Sequence, residues 1–361
     1  MRNKIFYSGK KHMDYILAAV VLVLVVLGLV LLFSTSAYNG RVKFHDSAYY
    51  FKKQLFATIL GLCAMYLVSR MDYRFLVRFA VLFYLMSIVL STLVLFIGDE
   101  YNGSKRWLSL GPLSFQPAEF AKLAVILFLT YVIRISRKKR GLWFVVRVLG
   151  MALPIVGLVG TNNLSTAVII LGIAVILIFV SNPNYLQFVG IGAAGIGFIG
   201  IFLAMESYRL ERLAVWRNPE GYDKGFQTLQ GLMAIGSGGL FGTGLGSSMQ
   251  KLGFVPEAQN DMIFSIICEE LGLMGAILVI LIFGILIWRL AVTAMEAEDL
   301  EGLLVAAGIM GHLALQVILN IAVVTNTIPN TGITLPFISY GGTSVLFLLA
   351  EMGLALSVSR R

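Results

Sequence analysis

The chain of 361 residues is 58% hydrophobic and 13% charged, with a mean hydropathy of +0.87. That balance excludes a soluble globular domain and leaves a polytopic membrane protein. The formal charge of +9 does not mark a nucleic-acid groove, because the basic residues form no stripe with interleaved aromatics. Many sit in short loops between apolar runs, where they act as topology signals. Cys63 and Cys268 both fall inside apolar runs and read as packing residues. His12, His45 and His312 are scattered, without zinc-type spacing.

Hydropathy predicts ten spans, at about 14–34, 50–68, 75–97, 117–135, 143–160, 164–181, 186–205, 262–288, 303–325 and 343–358. The first is too long for a cleaved signal and reads as a retained span. The fold class is therefore all-α, a single transmembrane bundle over 1–361, with a long extracytoplasmic loop at 206–260 between spans seven and eight. An even number of spans puts both termini on one side. Arg134, Arg137, Lys138, Lys139 and Arg140, with Arg70, Arg74, Arg78 and Arg289, make that side the cytoplasm.

The first outer loop, 34–49, is polar and aromatic and suggests no chemistry. The second contains Asn102-Gly103-Ser104-Lys105-Arg106-Trp107 and predicts an interfacial strand or short amphipathic piece. The fourth span opens Gln116-Pro117-Ala118-Glu119-Phe120-Ala121-Lys122. Pro117 suits a first helical position, Glu119 can reach back to the cap, and Glu119 and Lys122 can pair three residues apart. Thr161-Asn162-Asn163 reads as helix capping. Small residues of the seventh span, such as Gly190 with Ala194, favour close helix packing.

In the long loop, 207–216 has amphipathic spacing, Asn218-Pro219-Glu220-Gly221 breaks it, and 225–235 predicts a second short helix. The stretch 236–246 is glycine-rich. It lacks the Lys-Ser/Thr and the βαβ context of a phosphate loop, and reads as a hinge beside a ligand.

The chain then concentrates four acids in one place, Glu257, Asp261, Glu269 and Glu270. Asp261 falls where the eighth span begins, as a helix cap or as a functional acid at membrane depth. At 100° per residue, Asp261, Ser265, Cys268, Glu269 and Gly272 share a stripe about 100° wide, which should face protein or water. Glu270 points elsewhere and needs its own partner. The loop at 295–301 is acidic and reads as a solvated face. The last outer loop, 325–344, has two prolines and three glycines among apolar residues. Broken backbone at that depth must line protein or a wet cavity, so it should face Asp261.

Together these motifs resemble the shape, elongation, division and sporulation (SEDS) family of bacterial wall polymerases, and its FtsW and SpoVE branches more than RodA. The resemblance covers almost the whole chain and rests on 102–107, 116–122, 242–251 with 256–272, and 331–344. It implies a ten-span peptidoglycan glycosyltransferase acting on lipid II at the outer face of the plasma membrane. It also implies a class B penicillin-binding transpeptidase as partner and a divalent cation, Mg or Mn, as cofactor, with no nucleotide. The family's essential acid matches Asp261, the expected general base of an inverting displacement. Lys105, Arg106, Arg209, Arg212 and Lys251 are candidates for the pyrophosphate. Glu119, Lys122, Glu257, Gln259, Ser339 and Tyr340 complete the candidate substrate-binding set. Thr161-Asn162-Asn163-Leu164 replaces the family's usual Gln-Pro-Asp-Leu, so no acid's role passes to Asn163. A lipid II flippase and a non-catalytic scaffold are the alternatives, and the absence of clear inverted repeats disfavours the flippase.

Overall fold

A computed structural model describes residues 13–101, 104–110, 113–136, 141–182 and 213–361, with five glycines between 190 and 200. Arg209, Arg212, most of the seventh span and of the 207–216 segment, and residues 137–140 of the basic cluster lie outside the described residues.

Nine of the ten expected spans fall among the described residues, and each is helical. They are α1 (Tyr15–Phe44), α2 (Tyr49–Arg70), α3 (Tyr73–Arg78) with α4 (Ala80–Ile97), α5 (Pro117–Ile135), α6 (Leu142–Asn162) and α7 (Leu164–Ser181). After α8 (Phe226–Ser237), the predicted short outer helix, come α9 (Ile263–Met295), α10 (Leu300–Val324) and α11 (Gly342–Ser359). Eight of these helices are long and apolar enough to cross a membrane. The 19-residue α5 is as long, but every 18-residue stretch of it carries Glu119, Lys122 and Arg134. The exception to the all-α reading is a small antiparallel sheet in the second outer loop. Its strands are β1 (Asp99–Tyr101), β2 (Ser104–Leu110) and β3 (Leu113–Phe115), with Trp107 opposite Asp99 and Leu108 opposite Phe115.

α5, α10 and α11 are the most enclosed of the described spans, packed on one another and against α2, α7 and α9. α2, α4 and the later turns of α9 expose apolar side chains such as Phe56, Phe96 and Leu281, as lipid-facing helices do. The first outer loop differs from expectation. α1 runs on to Phe44, leaving only 45–48 as a turn. Its upper residues bury Thr35, Ser36 and Gly40 against the rest of the bundle, and that packing outweighs their polar composition.

One end of the bundle is closed by ion pairs. Asp14 binds Arg289 at 2.7 Å, and its amide donates to Ser359 Oγ at 3.1 Å. Arg361 meets Asp72, and Arg134 meets Glu301, each at 2.7 Å. Both ends of the described chain therefore lie on the same side. The acidic 295–301 loop is not merely solvated. Asp299 accepts from Arg74 Nε at 2.8 Å and from Tyr73 Oη at 3.0 Å, and caps α10 through the Gly302 amide at 2.8 Å. Burial alone would raise the Asp299 pKa. The Gly302 amide, Arg74 and Tyr73 outweigh it and hold the carboxyl below the usual range. Its stabilising contribution is therefore present above about pH 4, the ordinary aspartate value, and is lost as pH falls through the lower folded value.

Asp299→Asn keeps the cap and removes the charge. It should lower stability by about 0.5–1 kcal/mol at pH 7. The gap to wild type should close on acidification below about pH 4. Thermal unfolding in detergent, followed by tryptophan fluorescence across pH, measures both.

Candidate functional site

The site is built on a helix that breaks. Within α9, Gly272 has φ 67° and ψ −168°, so 263–271 and 273–295 are two helical segments rather than the single span expected. A break inside a membrane frees backbone groups, each costing several kcal/mol if left unpaired. The glycine-rich loop after α8 satisfies them. Thr243 N and Gly244 N donate to the carbonyls of Glu269 and Glu270 at 2.9 and 3.0 Å. In return Leu273 N and Met274 N donate to Gly239 O and Leu240 O at 2.9 and 3.1 Å. So close an approach leaves no room for side chains. A β-carbon at Gly242 would run into the Glu270 carbonyl, one at Gly272 into the Gly242 amide, and both residues have positive φ. The stretch is a clamp on the broken helix, which gives its glycines a reason that a phosphate loop or a free hinge does not.

Side chains lock the short segment further. Glu269 accepts from Ser248 Oγ and from the Met249 amide at 3.0 Å. Glu270 accepts from Lys251 Nζ at 2.5 Å and from Ser34 Oγ at 2.8 Å. Glu270 thus has the partner it was expected to need. The predicted stripe does face protein, since Ser265, Cys268 and Glu269 are buried.

Asp261 stands just before this segment. α9 begins at Ile263, and Met262 occupies the cap position without a side-chain cap bond, so Asp261 is not the helix cap. Asn320 Nδ2 donates to the Asp261 carbonyl at 2.9 Å and to the Ile333 carbonyl at 2.7 Å. That clips the Asp261 backbone to the last outer loop. A β-carbon at Gly332 would stand 3.9 Å from Asp261 Oδ2. The loop therefore faces Asp261, as its broken sequence implied. Gln227 Nε2 of α8 lies 3.4 Å from Asp261 Oδ1, and the residue is half-buried. Trp216 Nε1 donates to Asn326 O at 2.9 Å, docking the long loop onto the same segment.

Lys105 and Arg106 are elsewhere on this rim. With Gln116, Asn162 and Asn163 they line a narrow cleft between β2, α4, α5 and α6. Arg106 Nε donates to Asn162 O at 2.9 Å, and Asn162 Nδ2 donates to Lys105 O at 2.7 Å. Asn163 caps α7 through the Thr166 amide, the expected job. Two residues on, Ser165 Oγ donates to Thr331 O at 2.9 Å. Cleft and acid are thus joined through residues 331–332.

Several candidates face inward. Lys251 is 6% exposed and neutralised by Glu270. Gln259 is fully buried, bonded to Asn39 and Glu257, and its carbonyl accepts from Tyr340 N at 2.8 Å. Ser339 Oγ accepts from Leu335 N at 2.8 Å. Glu257 is held by Lys43 at 2.7 Å. The Tyr340 ring packs edge-on against Tyr50 at 4.9 Å, and burial pushes its hydroxyl up to about 12. Glu119 and Lys122 pair at 3.0 Å, both buried, so Glu119 serves the ion pair rather than the cap.

Ser34, Asn39 and Lys43 on α1, and His312, Gln316 and Asn320 on α10, were missed in the sequence. The last three had a readable signal, a spacing of four that puts polar groups on one face of an apolar helix.

The fold and this rim define a multi-pass membrane protein with an acid held at the start of a broken helix, facing the last outer loop. Residues 14–361 match the family model of the cell cycle proteins FtsW, RodA and SpoVE. The chain is 40% identical to stage V sporulation protein E of Bacillus subtilis over 98% of each. It is 35% identical to a probable peptidoglycan glycosyltransferase FtsW of Trichlorobacter lovleyi, over 96% of this chain and 93% of that one. One chain of a solved peptidoglycan synthase complex superposes with a TM-score of 0.81 at 31% identity, over 96% of this chain and 98% of that one. The rod shape determining protein RodA of Thermus thermophilus superposes at 0.72 and 30%, over 96% and 97%. The chain belongs to the SEDS family, and is most like its FtsW and SpoVE members.

If Lys251 is structural, Lys251→Met should cost about 3–5 kcal/mol by leaving Glu270 buried and unpaired. Lys251→Met with Glu270→Leu should recover most of it, as replacement of a whole buried pair by apolar groups usually does. Unfolding midpoints of the single and double variants in detergent decide. A stable Lys251→Met protein would return the lysine to the substrate candidates.

Proposed function

We propose that this protein is a peptidoglycan glycosyltransferase that polymerises lipid II at the outer face of the bacterial plasma membrane, with Asp261 as the general base. The observation that carries the reading is the setting of Asp261. It is a half-buried acid whose backbone is pinned by Asn320 and whose carboxylate borders the loop at Gly332. Glu119, Glu257 and Glu270 sit on lysines, and Glu269 is absorbed by Ser248 and Met249.

In the reaction the acceptor sugar's 4-hydroxyl attacks the anomeric carbon of the donor, and Asp261 takes its proton. The new C–O bond forms as the anomeric carbon–phosphate oxygen bond breaks, and the lipid pyrophosphate leaves with the electron pair. A single displacement inverts the α-linked donor to a β-linked strand, through a transition state with oxocarbenium character. Lys105 and Arg106, which line the cleft, are the proposed electrostatic partners of the leaving pyrophosphate. Arg209 and Arg212 are further candidates. Lys251 is withdrawn from this set by its ion pair with Glu270.

Among the described residues no three acidic, histidine or cysteine side chains converge as a cage for a metal. A divalent ion is assigned to the substrate's pyrophosphate as part of this proposal, and no step runs through it. The ion-paired end of the bundle is assigned to the cytoplasm and the Asp261 end to the outside, in line with the basic residues at the former. A single-span class B penicillin-binding transpeptidase is the proposed partner. The similarity to a chain of a peptidoglycan synthase complex supports it.

Asp261→Asn tests the central role. Asparagine keeps the shape but cannot accept the proton, so glycan formation should fall by roughly 10²-fold or more with insertion and partner binding unchanged. A near wild-type rate would remove Asp261 from the chemistry.

A further inference from the structure

Behind the loop that faces Asp261 lies a buried polar chain running across three helices. Lys122 Nζ of α5 donates to Gln316 Oε1 at 3.0 Å, and His312 Nε2 lies 2.9 Å from the same oxygen. His312 Nδ1 lies 2.8 Å from Glu351 Oε2 of α11. At the other end Gln316 Nε2 donates to Thr334 O at 3.1 Å, in the loop. Glu119 completes the set on Lys122. His312, Gln316, Glu351 and Lys122 are at most 2% exposed.

The donors and acceptors leave little freedom. A lysine ammonium only donates, so the Gln316 atom facing it must be the carbonyl oxygen. That sets the amide the other way round, with its NH₂ towards Thr334 O. His312 Nε2 faces the same oxygen and so must carry a proton. One further proton then lies between Nδ1 and Glu351 Oε2, on whichever of the two holds it. With Glu119 and Lys122 the whole chain of groups sums to zero charge, as a cluster at this depth requires.

We infer that His312 is a positioning residue, which with Glu351 behind it fixes Gln316 so that Gln316 holds the 325–341 loop against Asp261. The role in turnover rests on the reading of Asp261 as the base; the bracing of the loop does not. An amide in place of Glu351 preserves the arrangement, because its NH₂ donates to Nδ1 and leaves the proton on Nε2. Glu351 Oε1 has no hydrogen-bond partner among the described residues, so the amide oxygen forfeits nothing. A leucine in place of His312 removes the link entirely.

The test uses the full-length protein with its transpeptidase in detergent. It measures kcat and KM for lipid II, and separately backbone hydrogen exchange of residues 331–340 by mass spectrometry. His312→Leu should raise loop exchange and lower kcat, each by about tenfold, the equivalent of one hydrogen bond. KM should stay within about twofold, since the loss falls on the reacting geometry. Glu351→Gln should keep both quantities within about threefold of wild type. Asp261→Asn should leave loop exchange unchanged, so the exchange arm reads the brace whether or not Asp261 is the base. Wild-type exchange and kcat in His312→Leu would overturn the inference. So would Glu351→Gln folding normally but failing as His312→Leu does, because the charge rather than the brace would then matter. Should His312→Leu not insert, Glu351→Leu leaves the imidazole unbraced and gives the same comparison with Glu351→Gln.

Discussion

The break at Gly272 sets the terms for everything around Asp261. A continuous α9 would satisfy its own backbone and need no partner. Broken, it exposes carbonyls at 269 and 270 and amides at 273 and 274, and the 239–244 loop answers each of them. In hydrocarbon such an exchange is close to obligatory. It ties the long outer loop to the membrane domain and gives the 263–271 segment its own direction. Glu269 and Glu270 then pin the far end of that segment, on Ser248 and on Lys251 with Ser34. Asp261, at the near end, inherits a fixed position from contacts that are not themselves chemical.

The same logic runs through the rest of the rim. Asn320 clips Asp261 and Ile333 together, Gln316 holds Thr334, Ser165 holds Thr331, and Trp216 holds Asn326. The last outer loop has no regular structure of its own between α10 and α11, yet it is tied at many points to helices and to the long loop. A reacting group needs placement to a fraction of an ångström, and rigid neighbours supply it. This explains why so many polar residues around the acid face inward. Lys251, Gln259 and Ser339 are spent on the scaffold, while Lys105 and Arg106 line the cleft beside β2.

Much of this was legible in the chain. Nine of the spans, the short helix of the outer loop, the pairing of Glu119 with Lys122 and the apposition of the last loop to Asp261 follow from period, spacing and broken backbone. What was not legible depends on partners far away in sequence. A glycine at 272 in an apolar run looks like ordinary helix packing until residues 239–244 are folded against it. The polar composition of 34–44 looks like a loop, but α1 continues through it because its upper turns pack on the bundle. Lys251 looks like an outward cation until Glu270 is brought beside it. His312 and Glu351 are 39 residues apart, and only the packing of α10 against α11 joins them.

The most direct test is whether the purified protein, with the proposed class B transpeptidase, makes glycan strands from lipid II in detergent micelles. No bilayer separates two faces there, so a flippase has nothing to do and a scaffold nothing to build. A glycosyltransferase with Asp261 as its base should give β-linked strands whose formation requires the SEDS chain. Lipid II left unpolymerised by the active, folded complex would contradict it.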